Sequence, residues 1–246
     1  MCISQYANQP RLFICNNDET IKIYTLPGLQ RITSIQLPTA VNYASVSPDG
    51  KKLCAVGDNN QVFLYDVTGQ GGYTKISTLT ATTDACFSCA WNHSSDKFAV
   101  ACQDGFVCVW DVRSTEKLAK ISTKQVYTIY NVYYLFCQLS NYNFQNPQVK
   151  GAARCVKFSM SGSVDLMMFT ELTIHFQHVS YMNIVDARTF NDTQSIRVAP
   201  ANSDQHISGI ACSPDSRSIF VGLENVVLEY DIDVIARRSF GEGSLV

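Results

Sequence analysis

Cys86-x-x-Cys89 and His175-x-x-His178 carry the ligand types of a zinc site, in which thiolates and imidazoles hold the ion as a tetrahedron. The spacing opposes that chemistry. Residues 86 and 89 lie in a strand-like run, where they are expected on opposite faces, and the histidines follow more than 80 positions later. We expect core cysteines, surface histidines, no metal and no cofactor. Gly69-Gln70-Gly71-Gly72 could cradle a phosphate, but it lacks the Gly-Lys-Ser/Thr ending and a following amphipathic helix, so a hairpin loop is expected. The four histidines stand outside any nucleophile motif and no Gly-x-Ser-x-Gly occurs. Asp231 and Asp233 form a carboxylate pair, yet Asp231 recurs in phase with Asp66, Asp111 and Asp186 and reads as a turn residue. The chain is not expected to be an enzyme or to take a small-molecule substrate.

Composition narrows the classes further. The 246 residues are 46% hydrophobic and 16% charged, which suits one globular domain spanning 1–246 with a sizeable core. A formal net charge of −2 gives no basic footprint, so neither nucleic acid nor an anionic membrane is an expected partner. Met1 to Pro10 is polar and does not read as a secretory signal, so the expected location is cytoplasmic or nuclear. The ten cysteines are spread through strand-like runs such as Leu53-Cys54-Ala55-Val56, as small buried hydrophobes would be. The longest apolar run, Val126 to Cys137, is too short to cross a bilayer and holds four tyrosines and an asparagine.

The elements that position these residues are repeats. Val41 to Asp66, Ala85 to Asp111 and Ile207 to Asp231 share one grammar: an apolar strand, a Ser-Pro-Asp-Gly type turn, a second strand, a tight turn, and a third strand ending in aromatic-Asp. Weaker copies surround Arg11 to Tyr24 and Arg154 to Asp186. Fourth strands are expected at Arg31 to Gln36, Tyr73 to Leu79, Lys117 to Ile121, Ser195 to Val198 and Arg237 to Phe240. The first copy lacks a clear innermost strand before Arg11. Tyr24, Tyr65 and Trp110 stand 41 and 45 positions apart, and Val185 and Tyr230 stand 45 apart. Trp110 and Val185 are 75 apart, so about 30 residues exceed the blade period of about 40 to 45. Val126 to Gln148 and Leu172 to Gln177 supply the excess, as loop insertions at a blade edge or as retained intron sequence.

Tyr65-Asp66, Trp110-Asp111, Tyr230-Asp231 and Ser47-Pro48-Asp49-Gly50 resemble the WD40 repeat family over nearly the whole chain. Asp165-Leu166-Met167-Met168-Phe169-Thr170-Glu171, with His178 and Ile184-Val185-Asp186-Ala187-Arg188, is similar to the short domain of unknown function with an Asp-Leu-Leu motif (DUF2415) found in fungal WD40 proteins. Met167 replaces the second leucine, and Leu172 to Gln177 part Glu171 from His178. The resemblance implies an all-β WD40-type β-propeller of about five four-stranded blades, an incomplete ring whose open edges invite aggregation. It implies that Asp66, Asp111, Asp186 and Asp231 close the turn after each third strand. It also implies scaffolding, with protein or peptide partners on the top face, where the innermost strands begin; substrate receptors and adaptors of ubiquitin ligases are among the family's members. Asn42, Tyr43, Cys86, Phe87, Arg154 and His206 hold those starts. A propeller-type hydrolase with a channel active site, or a truncated product without independent function, is the alternative reading.

Overall fold

A computed structural model describes residues 2–6, 9–69, 71–123, 125–126, 149–161, 164–173, 179–198 and 206–233, which are all-β with no helix among them. Chain order builds the sheets one after another. The first sheet holds β1 (Cys2–Tyr6), β2 (Gln9–Cys15), β3 (Thr20–Thr25) and β4 (Arg31–Gln36). The second holds β5 (Val41–Val46), β6 (Lys52–Gly57), β7 (Gln61–Val67) and β8 (Tyr73–Thr80), and the third holds β9 (Cys86–Trp91), β10 (Lys97–Cys102), β11 (Phe106–Asp111) and β12 (Lys117–Ser122). A two-stranded ribbon, β13 (Gln125–Val126) with β14 (Val149–Lys150), leads into the fourth sheet. That sheet contains β15 (Ala152–Phe158), β16 (Leu166–Thr173), β17 (Val179–Asp186) and β18 (Thr193–Arg197). The fifth shows β19 (Gly209–Cys212), β20 (Ser218–Gly222) and β21 (Val227–Asp231). Each sheet is an antiparallel meander, the form of a propeller blade, and among the described residues the blades do not close into a ring.

Two expectations need adjustment. The first copy does have an innermost strand: β1 pairs along β2 from Cys2↔Phe13 to Tyr6↔Gln9. Its pattern hid it, because Cys2 packs inward against the next blade while Ile3 stands 63% exposed, leaving one apolar face in a polar pentapeptide. Of the second proposed insertion, Leu172 and Thr173 extend β16 and face Ser180 and Val179, while 174–177 lies outside the described residues. Residues 127–148 and the fourth strand expected at 237–240 also lie outside them.

The core is divided among the blade junctions. One apolar cluster joins the first and second sheets (Phe13, Ile21, Ile23 with Leu53, Ala55, Phe63), and another joins the second and third (Cys54, Val56, Leu64 with Phe98, Val100, Trp110). The third meets the fourth through Ala99, Ala101 and Val109 against Met167, Phe169 and Val185, and the fourth meets the fifth through Leu166, Met168 and Ile184 against Ile210, Ile219 and Val221. Period-2 alternation therefore sends successive residues of one strand into different junctions: Leu53 and Ala55 pack backwards, Cys54 and Val56 forwards. This is why the inner strands read as unbroken apolar runs. β10 also shows size matching, since Phe98 stacks on Trp110 at 5.3 Å on one face while Ala99 and Ala101 on the other leave room for Met167 and Phe169.

A second set of contacts fixes one blade on the next. In the turn after the innermost strand of the second, third, fourth and fifth sheets a short polar side chain accepts the first N–H of the following strand: Ser47 from Lys52 (2.9 Å), Asn92 from Lys97 (2.9 Å), Ser159 from Leu166 (3.0 Å) and Ser213 from Ser218 (2.9 Å). Each of these turns passes through a left-handed residue, namely Gly50, Ser95, Asp165 or Ser216. Three of those four are not glycine, and each reaches the neighbouring blade. Ser95 Oγ accepts from Asp49 N at 3.0 Å, Ser216 Oγ accepts from Ser161 N at 2.9 Å, and Asp165 Oδ1 lies 3.6 Å from His93 Nδ1. At the first junction Arg11 donates from Nη1 to Gly71 O (3.0 Å) and Tyr73 OH (3.1 Å), packing so close to Gly71 that a Cβ there would stand 2.5 Å from Arg11 Nη2.

Each left-handed serine holds a bond to the neighbouring blade, which gives a direct test. Ser216→Ala keeps the left-handed backbone and strands the Ser161 N–H, so urea unfolding should show a loss of about 1–2 kcal/mol. Ser216→Gly should lose less, because glycine relieves the backbone strain. Unchanged stability in Ser216→Ala would show that the bond does not hold the blades.

Candidate partner-binding face

Three of the expected site residues share a backbone feature. On β5 the pairing passes from Val41↔Gly57 to Tyr43↔Val56, leaving Asn42 as an extra residue. On β9 it passes from Cys86↔Cys102 to Ser88↔Ala101, leaving Phe87, and on β15 from Ala153↔Glu171 to Val156↔Phe169, leaving Arg154 and Cys155 opposite Thr170. Each is a β-bulge, which interrupts the ladder and re-aims the side chain it carries. Successive blades therefore present Asn42, Phe87 and Arg154 from equivalent places at the top of their innermost strands.

The bulged side chains touch from blade to blade. Asn42 Nδ2 donates to Asp58 Oδ1 (2.8 Å) on its own blade and to the Cys86 carbonyl (3.0 Å) on the next. The Arg154 guanidinium lies 4.0 Å from the centre of the Phe87 ring, and burial lowers its affinity for its proton without removing the charge. Tyr43 accepts from Lys157 Nζ at 3.0 Å, linking the second blade to the fourth across the third. Burial pushes the Tyr43 phenol up against the opposing pull of Lys157. Burial pulls the lysine down, the Tyr43 contact pulls it up, and the net is upward. Neutral phenol and charged ammonium persist at neutral pH. Cys86 is buried, and His206 stands half-buried just before β19.

Sequence reasoning missed Lys157 and Asp58. A lysine inside the apolar run Arg154 to Phe158 was the available signal for the first, since a buried cation needs a partner. The turn aspartates divide. Asp111 accepts from Arg113 N (2.9 Å) and Nε (2.8 Å), and Asp186 accepts from Arg188 N (2.9 Å), Nε (3.1 Å) and Nη2 (2.9 Å). Asp66 instead takes Lys52 Nζ across the strand pair at 2.6 Å, and exposed Asp231 makes no side-chain hydrogen bond among the described residues. The difference is legible: Asp-x-Arg follows the third strand at 111 and 186, whereas Thr68 and Asp233 occupy the arginine's place at the other two.

The zinc-like cysteines also differ from expectation. Cys86 and Cys89 pack into one cluster instead of opposite faces, because the bulge at Phe87 shifts the alternation between them. They still do not converge, since Cys86 Sγ lies 3.4 Å from Cys102 Sγ while Cys89 Sγ donates to Cys54 O at 3.4 Å. Among the described residues no group of three His, Cys, Asp or Glu could hold a metal ion, and His175 and His178 lie outside them.

Comparison with known proteins bears on the blades themselves. A family model for the WD domain, G-beta repeat, matches residues 73–111, and one for the uncharacterised protein domain DUF2415 matches 151–197. The chain carries a WD40 repeat and a DUF2415 domain. It is 30% identical over 239 residues to an uncharacterized protein of Schizosaccharomyces pombe, covering 92% of this chain and 60% of that one. It is also 28% identical over 126 residues to eukaryotic translation initiation factor 3 subunit I of Debaryomyces hansenii (46% of this chain, 35% of the other). A pre-rRNA-processing protein of Yarrowia lipolytica is 25% identical over 122 residues (43% and 29%). The chain therefore spans 60% or less of the length of these relatives.

The two domain matches follow the sheets in different ways. The WD40 repeat runs from β8 to the end of β11, so it supplies the outer strand of one blade and the inner three of the next. DUF2415 coincides with one whole blade, β15 to β18. In that blade the Asp-Leu-Leu-like motif begins with left-handed Asp165 and leads into β16, where buried Glu171 accepts from Asn183 Nδ2 (3.3 Å), which in turn holds Ser195. The segment of this chain that matches DUF2415 is thus one blade with a longer first turn and a polar network inside its sheet.

Nine free cysteines occur among the described residues, and their burial sets a pH dependence. Burial pushes the Cys15 thiol up from its ordinary 9.0 to about 12, and burial likewise holds Cys89 well above its ordinary value. Folded thiols keep their protons where unfolded ones ionise, so the stability they contribute is complete below about pH 8.5 and is lost as pH climbs toward 12. The urea midpoint should fall between pH 8 and about 10, and less steeply in Cys15→Ala. A midpoint that rises over that range would contradict the burial of these thiols.

Proposed function

We propose that this chain is a protein-interaction scaffold whose top face, centred on the bulged residues Asn42, Phe87 and Arg154, receives a protein or peptide partner. The alignment of these three side chains by rigid, two-face-buried sheets carries the reading, since a bulge repeated in phase costs three ladders a hydrogen bond and gains only a set of re-aimed side chains. WD-repeat relatives support it, one of them named as a subunit of a larger factor. In its finer form the chain is a substrate-recognition or adaptor subunit of a ubiquitin ligase, acting in the cytoplasm or nucleus, with no nucleic acid, membrane or small-molecule ligand. Aromatic and arginine side chains are suited to anchoring such an interface, because they bury much area at small entropic cost.

A photocrosslinking amino acid placed at Phe87, and separately at exposed Leu29 on the first blade, tests this in cells. Crosslinking of a defined set of proteins from position 87 and not from 29 is the expected result, and ligase subunits within that set would support the finer form. Equal capture from both positions would contradict a top-face receptor.

A further inference from the structure

The junction between the third and fourth blades carries cations that blade packing leaves unexplained. Lys120 of β12 and Lys150 of β14 each place their ammonium 3.8 Å from the centre of the same ring, Phe106 of β11. Arg154, four positions beyond Lys150, lies on Phe87 of the same third blade. None of the three forms an ion pair among the described residues, and while Lys75 and Lys117 also lie unpaired on rings, each has its ring, Phe63 or Trp110, to itself, whereas Lys120 and Lys150 share one. Asp104, the acid nearest to Phe106 in sequence, is held by Thr83, its Oδ2 accepting from the amide and hydroxyl of that residue at 3.3 and 3.1 Å. Residues 127–148, which connect the two strands of the adjoining ribbon, contain no Asp, Glu, Lys, Arg or His and bring no counter-charge.

The backbone beneath the pair is fixed. Gly105 has φ +77°, and a Cβ on it would stand 2.7 Å from Lys150 Cβ and 2.8 Å from Gly151 O, so only glycine admits this approach. Thr123 Oγ1 lies 3.0 Å from Gly105 O and 2.8 Å from Gly151 O, tying the two segments together. The stem of Lys150 is therefore delivered onto Phe106 by rigid chain. The ring orders the two ammonium groups without neutralising them, and since both lie 3.8 Å from one ring centre, an anionic segment laid beside the ring meets both charges at little further ordering cost.

We propose that this junction binds an anionic peptide segment, whose carboxylate or phosphate oxygens pair with Lys120 and Lys150 beside the Phe106 ring while Arg154 takes a neighbouring acidic group. The proposal rests on the protein-interaction reading above and adds the chemistry of the partner. Three cations on a chain of net charge −2 suit a short acidic stretch better than the long phosphate track of a nucleic acid.

Fluorescence anisotropy of the full chain with a fluorescein-labelled Glu/Ser peptide, its phosphoserine form, its Gln/Ser counterpart and a single-stranded RNA oligonucleotide tests the proposal. The acidic peptides should bind and the Gln peptide should not; binding of the phosphoserine form alone would make phosphate the source of the charge, and binding of both would make it plain acidity. Lys120→Gln/Lys150→Gln should weaken binding roughly tenfold or more, as expected for losing close charge pairs, while Lys120→Arg/Lys150→Arg retains it. Undiminished binding by the Gln variant, equal binding of the Gln peptide, or RNA binding with the same lysine dependence would each overturn the proposal. Crosslinking from position 87 that survives the Gln variant overturns it while leaving the scaffold reading in place, and loss of crosslinking in wild type as well removes both.

Discussion

The second, third and fourth blades are buried on both faces, and that constraint governs the rest of the molecule. A four-stranded meander has little core of its own; here each apolar cluster belongs to two sheets, so a blade is stable only against its neighbours. Consecutive strand residues must serve different junctions, which requires close pairing of sizes, as with Ala99 and Ala101 against Met167 and Phe169. Sheets stacked in this way cannot slide, and the left-handed Ser95 and Ser216 add a directional bond at the lower end of two junctions. The open edges are handled by the outer strands. The pairing of β4, β8 and β12 each skips one residue, Ile32, Ile76 and Leu118, which stand 40%, 44% and 51% exposed directly after Arg31, Lys75 and Lys117. A bulge beside a cation disfavours pairing with a foreign strand, so the exposed aliphatic side chains need not imply aggregation.

The proposed partner-binding face depends on fixed blades. Because neighbouring innermost strands are held in register, an equivalent bulge in each of three blades sets Asn42, Phe87 and Arg154 along one line, and their contacts run between blades more than within them. The same rigidity underlies the Lys120–Phe106–Lys150 arrangement, where Gly105 and Thr123 bring two blades' chains within van der Waals contact. The two charged features lean from the fourth blade, or the ribbon before it, onto the third. The DUF2415 blade is therefore the element that supplies Arg154 and Lys157 to a surface whose aromatic partners, Phe87 and Tyr43, come from WD40-like blades.

The blade architecture was legible because aromatic-Asp ends and Ser-Pro-Asp-Gly turns recur in phase, and the strand edges at Arg31 to Gln36 and Lys117 to Ile121 followed from that phase. β1 was hidden because only one of its faces is apolar. The starts of the innermost strands were legible as positions, but the bulges that make them a surface were not, since a register shift depends on the partner strand and leaves no mark in its own residues. That limit also misplaced Cys86 and Cys89, whose three-residue spacing means opposite faces only in an uninterrupted strand. Lys150 and Lys120 escaped notice because nothing local joins them: they are 30 positions apart and meet only on Phe106.

Bulged residues of successive innermost strands meet across the blade junction. A double-mutant cycle on Phe87→Ala and Arg154→Met, read by urea unfolding, tests it most directly, because methionine keeps much of the arginine stem and removes the cation. A coupling of about 0.5–2 kcal/mol between the two substitutions is expected. Additive losses, with coupling indistinguishable from zero, would mean that Phe87 and Arg154 do not touch and that the third and fourth blades do not present one face.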